Sequence, residues 1–304
     1  MGIKVRCLVR SGRKDLSWLQ GLPVEVISGD LRSFASLHDE LKDINYVVHV
    51  AGITRAKHIN DFDTLNAVAT GNLLQLVSKL PHLKKFCYIS SLTAVGPSLD
   101  GLPVHEETPC NPLSVYGRSK LRAEKICSSY MESIPVVIVR PPAVYGPRDK
   151  DVLEIFKTAR MGIETIIGPQ PKTFSVVYGT DLADGIVEAT LSDKTIGKTY
   201  FISDPEIHSF SRVYEFLADL MGKKLIRLRV SSGLVQTAAV FSELISHFSS
   251  SPPLLSFDKT YDLLQKNYTC TPEKFRQEVG FTASTPFEKG FTETYEWYRQ
   301  NKWL

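Results

Sequence analysis

Tyr116 and Lys120 stand at the two ends of Tyr116-Gly117-Arg118-Ser119-Lys120. On a helix, positions i and i+4 share a face, so this spacing would bring a phenol beside an ammonium. A free tyrosine titrates near pH 10, about three units too high for a working base. A neighbouring cation favours the phenolate and lowers that value. Such a group can give a proton to a carbonyl oxygen or take one from an alcohol. Ser91, closing the apolar run Phe86-Cys87-Tyr88-Ile89-Ser90-Ser91, offers a hydroxyl to the same oxygen. Alone, the pair also describes an amphipathic helix with one interfacial tyrosine.

Other chemistries find less to work with. Glu243 and His247 have no metal-ligand spacing with any further residue. The five cysteines, Cys7, Cys87, Cys110, Cys127 and Cys270, are dispersed and form no C-x-x-C pair. That pattern argues against a disulfide framework and fits a reducing, cytoplasmic setting. Cys7 and Cys87 lie in apolar runs and read as buried thiols. With 36 basic and 33 acidic residues the net charge is +3, which implies no nucleic-acid partner. The start, MGIKVRCLVRSGRK, has no apolar stretch of a secretory signal. No run of about 18 apolar residues is present to span a membrane. Among 304 residues, 43% are hydrophobic, enough for a sizeable core.

The elements that must position these residues alternate in period. Residues 3–9, 24–27, 46–51, 86–89 and 135–139 read as strands, nearly continuous in apolar side chains. Helices are expected over 33–43 (Phe34, Leu37 and Leu41 on one face), 66–80 and 115–131. Continuous apolar strands alternating with helices predict a parallel sheet covered on both faces. Polar or small residues stand where each strand ends, and in such sheets a ligand lies outside the carboxyl ends of the strands. Beyond residue 170 the rhythm loosens. Helices are expected over 181–191, 211–221, 231–248 and near 272–279, with a strand at 198–202. Thr285-Pro286-Phe287-Glu288 reads as a capping box opening the last helix. The apolar segment 234–241 reads as a cap core helix, with a lipophilic substrate or a membrane contact as the alternative.

The order Gly29-Asp30-Leu31, Val50-Ala51-Gly52, Tyr88 to Gly96, Tyr116-x-x-x-Lys120 and Arg140-Pro141-Pro142-Ala143-Val144-Tyr145-Gly146-Pro147 resembles the extended short-chain dehydrogenase/reductases. This is the family of NAD(P)-dependent epimerases, dehydratases and ketone reductases. The resemblance runs from residue 3 to the C-terminus and is nearest to dihydroflavonol-reductase-like and 3β-hydroxysteroid-dehydrogenase-like members. It implies an α/β fold with a Rossmann-like doubly wound parallel sheet. Residues 1–170 would be the dinucleotide-binding domain. Residues 171–304 would mainly be a smaller substrate-binding cap, with a segment near 195–205 returning to the sheet. Tyr116 would be the general acid/base. Lys120 would lower its pKa and hold the nicotinamide ribose. Ser91 would orient the substrate oxygen with Thr93 beside it. Asp30 and Leu31 would flank the adenine, Ala51 and Gly52 would let the cofactor approach, and Pro141 to Val144 would border the nicotinamide. Asn66 would support the strand ends around the cofactor, or be purely structural. A small-molecule substrate is implied, and a homodimer is open.

Two departures qualify this. The family opens on a strand and a G-x-x-G-x-x-G turn that cradles the pyrophosphate, and no such motif stands in these 304 residues. Gly2 would correspond to the residue ending the helix after that turn, and the first strand would be absent. A groove or a rearranged contact is then expected between strands 3–9 and 46–51, with poor NADP binding by the chain as written. At the end of strand 3–9, Val9-Arg10-Ser11-Gly12-Arg13-Lys14 replaces the acid that suits NAD. Arg10 suits a 2′-phosphate and favours NADP over NAD, the other reading being a solvated basic turn. Thr54 or Arg55, after Gly52, could touch substrate. The expected activity is hydride transfer at a secondary alcohol or ketone, including epimerisation through a transient ketone. Alternatives are a nucleotide-sugar epimerase or dehydratase, and a non-catalytic or truncated protein of this fold.

Overall fold

The computed structural model describes residues 2–10, 12, 15–31, 37–168, 171–248, 252–253 and 255–304. Strand β1 (Val5–Arg10) pairs in parallel with β2 (Val24–Gly29), from Val5 opposite Val24 to Arg10 opposite Gly29. Where a helix over 33–43 is expected, residues 32–36, Phe34 among them, lie outside the described set. The rest makes only a 3-10 turn at Asp39–Leu41. Leu37 and Leu41 are still buried, because the apolar spacing needs a face and not a full helix.

Strands β3 (Tyr46–His49), β4 (Lys85–Ile89) and β5 (Val136–Arg140) follow in parallel. One continuous helical stretch links β3 to β4: α1 (Ile59–Phe62), a π turn (Asp63–Val68) and α2 (Ala69–Val77). It begins seven residues before the expected start at Asn66. Helix α3 (Val115–Ser129) links β4 to β5. Every residue of β4 and β5 is buried. Phe86, Tyr88, Val136 and Ile138 pack against Leu73, Leu74, Ala123 and Cys127 on one face. Cys87, Ile89, Val137 and Val139 face the other way, onto Leu182, Ala189 and Phe275. This is the two-sided burial that continuous apolar strands require. Cys87 is buried as expected, whereas Cys7 is only half-buried.

The chain continues through β6 (Ala143–Tyr145), α4 (Leu153–Arg160), β7 (Ile163–Ile167), β8 (Thr173–Phe174) and β9 (Val176–Tyr178). Helix α5 (Gly179–Leu191) leads into β10 (Lys198–Phe201), which pairs with β5 and returns the chain to the main sheet. Then come β11 (His208–Ser209), α6 (Phe210–Met221), β12 (Ile226–Val230), α7 (Ser232–His247) and α8 (Phe257–Leu263). The described chain closes with β13 (Asn267–Tyr268), α9 (Glu273–Val279) and α10 (Phe287–Gln300).

The main sheet has the order β10-β5-β4-β3, and β1-β2 is a separate two-stranded sheet. No pairing among the described residues joins β1 to β3, so the sheet is interrupted between strands 3–9 and 46–51. Val5, Leu8, Val48 and Val50 are correspondingly exposed. Arg6 spans part of the break through its ion pair with Asp43.

Two expectations fail in the C-terminal part. The capping box at Thr285 does not form: its N–H and hydroxyl both donate to the Asp181 carboxylate, at 2.9 and 2.8 Å. Glu288 pairs instead with Arg212. A buried carboxylate from another element outcompetes the local cap because it satisfies both Thr285 donors at once. The segment 234–241 is no core helix either. Of α7, only Val235, Ala239 and Ser246 are buried.

Candidate active site

Ser91 stands two residues past the end of β4 and caps a 3-10 turn at Leu92–Ala94. Its Oγ accepts from the Thr93 N–H at 3.2 Å and from the Thr93 hydroxyl at 2.8 Å. Tyr116 stands in the first turn of α3, whose N-cap, Ser114, accepts from the Gly117 N–H at 3.1 Å. Gly117 lets the two approach: a Cβ there would lie 2.4 Å from the Thr93 carbonyl oxygen. The Ser91 side chain stands beside the Tyr116 phenol and favours its ionised form.

Lys120 lies one turn further along α3 and is buried. Its Nζ donates to the Ile89 carbonyl at 2.6 Å and stands 4.4 Å from the centroid of the Tyr88 ring. Burial draws this ammonium down to about 8, against the pull of Glu124. The Tyr116 phenol moves the other way from what its spacing to Lys120 suggests. Burial pushes it up to about 12; Ser91 opposes this, and the charges of Asp262 and Asp151 add to it. The shared helix face is real, but Lys120 reaches down to the β4 carbonyl, and its charge is not among those acting on the phenol.

Behind this cluster the polar groups are satisfied in chains. Asn66, buried in the π turn, grips both backbone groups of Ile53, accepting from its N–H at 2.8 Å and donating to its carbonyl at 3.1 Å. Its amide also donates to Ser119 Oγ at 3.0 Å, and Ser119 donates to the Tyr116 carbonyl at 2.7 Å. Asn66 therefore ties the segment after β3 to α3. His49 is buried against Thr70 Oγ1 at 2.8 Å, and burial, with Lys120 nearby, draws it down to about 3. Arg140 grips Glu124 with two hydrogen bonds of 2.9 and 2.7 Å, and Ser90 donates to the same carboxylate. This buried pair fixes the ends of β4 and β5 against α3.

The remaining predicted residues spread along the strand ends. Ala51, Gly52 and Thr54 are exposed after β3, Val144 is exposed on β6, and Pro141 is buried. A Cβ on Gly52 would meet only Asn66, at 3.0 Å. Arg10 ends β1 of the separate β1–β2 sheet, and Asp30 and Leu31 follow the end of β2. Arg10 is exposed and has no ion pair among the described residues, while Asp30 and Leu31 are half-buried. Ser11, Arg13 and Lys14 lie outside the described residues.

Sequence reasoning missed the contribution of α8. Asp258 of α8 accepts from the Val115 N–H with both oxygens, at 3.0 and 2.8 Å. Asp262, one turn on, accepts from the Tyr268 hydroxyl at 2.7 Å. Arg55 pairs with Asp151, and Lys259 stands 4.0 Å from the same carboxylate. No spacing rule connects residues 143 positions apart, so nothing local marks Asp258.

A model of the NAD dependent epimerase/dehydratase family matches residues 1–202. The chain is 27% identical to the ceramide reductase of Caulobacter vibrioides, over 100% of this chain and 89% of that one. It is 30% identical to the UDP-glucose 4-epimerase of Vibrio cholerae, over 69% of this chain and 66% of that one. The dTDP-glucose 4,6-dehydratase of Bacillus anthracis, solved in complex with NAD, superposes with a TM-score of 0.75. It is 23% identical, over 95% of this chain and 84% of that one. The parallel α/β fold and the match over two-thirds of the length agree: the chain belongs to the NAD-dependent epimerase/dehydratase family of extended short-chain dehydrogenase/reductases.

Proposed function

We propose that this protein catalyses hydride transfer at a secondary alcohol or ketone carbon, with Tyr116 carrying the proton. The observation that supports this best is the close approach of the Ser91 turn to the start of α3, with Gly117 against the Thr93 carbonyl, which brings Ser91 beside Tyr116 with the Lys120 ammonium one turn along the same helix. A bound nicotinamide dinucleotide supplies the hydride donor or acceptor. Ala51, Gly52, Pro141 and Val144 would border its nicotinamide end and Lys120 its ribose. Asp30 and Leu31 would flank its adenine, and Arg10 a 2′-phosphate. That last contact is the basis for NADP, while the family name and the NAD-bound dehydratase structure support NAD.

Ser91 and Thr93 orient the substrate oxygen, with Thr54 at the rim. The Tyr116 phenol would give its proton to a carbonyl oxygen in reduction and take one from an alcohol in oxidation. Asn66 and Ser119 hold the helix backbone that carries Tyr116. A second reading, nucleotide-sugar epimerisation or dehydration, uses the same residues and is supported by the 30% identical UDP-glucose 4-epimerase. Reduced dinucleotide consumption with ketones, ceramide-type amphiphiles included, set against product analysis with UDP-glucose, separates the two.

The proton role is tested by Tyr116→Phe, which should lower kcat about 10²–10⁴-fold with little change in dinucleotide affinity. Near-normal turnover would remove Tyr116 from the mechanism. Lys120→Ala should damage both quantities, because the lysine faces ribose and helix alike.

A further inference from the structure

Helix α7 leaves most of its large apolar side chains uncovered. Val235, Ala239 and Ser246 face the protein, where Ser242 Oγ accepts from the Leu255 N–H at 3.4 Å and Glu243 from the Phe257 N–H at 2.7 Å. The other large apolar side chains of α7 turn outward. Leu234 is 63% exposed, Phe241 60%, Ile245 67% and, just past the helix, Phe248 95%. Positions 234, 241, 245 and 248 fall on one face at helical spacing and form a stripe about 21 Å long, with Leu244 beside it. Single exposed apolar residues need no explanation, but a continuous stripe does.

The segment is also basic. Residues 223–248 hold Lys223, Lys224, Arg227 and Arg229 against one acid, Glu243, which is turned inward. Arg227 is engaged by Glu164 and Glu215. Lys223, Lys224 and Arg229 are exposed with no ion pair among the described residues. Two copies facing each other through this segment would bring like charges together. An anionic lipid surface offers acyl chains to the stripe and headgroups to the cations, and asks for no matching groove. No described helix is long and apolar enough to cross a membrane.

We propose that α7 lies in the surface of an anionic membrane, with Leu234, Phe241, Leu244, Ile245 and Phe248 among the upper acyl segments and Lys223, Lys224 and Arg229 at the headgroups. Helix α8, which packs on α7, places Asp258 on α3, so the docked face adjoins the element that contacts the start of α3.

Flotation of the purified protein with vesicles tests this. It should float with phosphatidylcholine containing about a quarter phosphatidylglycerol, bind pure phosphatidylcholine about tenfold less, and lose binding as salt rises. The triple variant Phe241→Ser, Ile245→Ser, Phe248→Ser should lose flotation while keeping its thermal midpoint. Should that variant fail to fold, Lys223→Glu with Arg229→Glu tests the same surface and should abolish the preference for anionic vesicles. Absence of binding to anionic vesicles would overturn the proposal. So would a dimer in light scattering that the apolar triple variant dissociates, because a second copy would then be the occupant.

Discussion

The Asp258 carboxylate sits on the backbone N–H of Val115, at 3.0 and 2.8 Å, one residue before Tyr116. An acidic side chain from α8 thus occupies the first free donor of α3, where a negative charge is favoured by the helix dipole. Asp258→Ala leaves that donor without its partner and should cost about 1–2 kcal/mol in stability. It should also lower kcat more than it raises KM, as Tyr116 loses its fixed position. Asp258→Asn keeps one acceptor and should recover most of the turnover. Equal kcat in the alanine variant and the native protein would show that the clamp does not position Tyr116.

Gly117→Ala should destabilise the protein, against ordinary helix propensity. Gly to Ala inside a helix normally gains about 0.5–1 kcal/mol. Here the new Cβ would lie 2.4 Å from a backbone oxygen, that of Thr93, so the Ser91 turn must move. A loss of about 1–3 kcal/mol by urea unfolding is expected, with a fall in kcat. A stabilised variant would mean that the turn yields at no cost.

His49 should make the fold acid-sensitive. Its folded value is about 3 against 6.5 as a free side chain. Between those values the unfolded chain binds a proton that the folded chain does not, so stability falls as pH drops from about 6.5 towards 3. His49→Gln keeps a partner for Thr70 and removes the titration. Between pH 7 and 4.5 it should lose about 2–3 kcal/mol less than the native protein. Parallel losses in the two proteins would mean that His49 is not kept neutral.

Arg10→Asp should weaken NADP binding far more than NAD binding, by about tenfold or more in calorimetry. Only NADP carries a 2′-phosphate that this guanidinium would pair with. Equal losses would make Arg10 a bystander and leave NAD as the cofactor that the family name indicates.

The layered part of the fold was legible because burial on both faces leaves a local trace. The runs at Phe86–Ile89 and Val136–Val139 are apolar residue after residue, and the stripe of α3 recurs at helical spacing, so strand, helix and strand end follow from chain-local rules. Ser91, Tyr116 and Lys120 were legible for the same reason: each is set by its place in one element. What the tertiary structure decided depends on distant partners. The direction of the Tyr116 shift comes from enclosure and from Asp262 and Asp151, not from Lys120 at i+4. Thr285 abandons its local cap for Asp181, 104 residues away. Asp258 reaches Val115 across 143 positions. The apolar run of α7 carried its composition in the sequence but not its orientation. Which way such a helix faces is set by the segments it packs on, here through the polar contacts of Ser242 at Leu255 and Glu243 at Phe257.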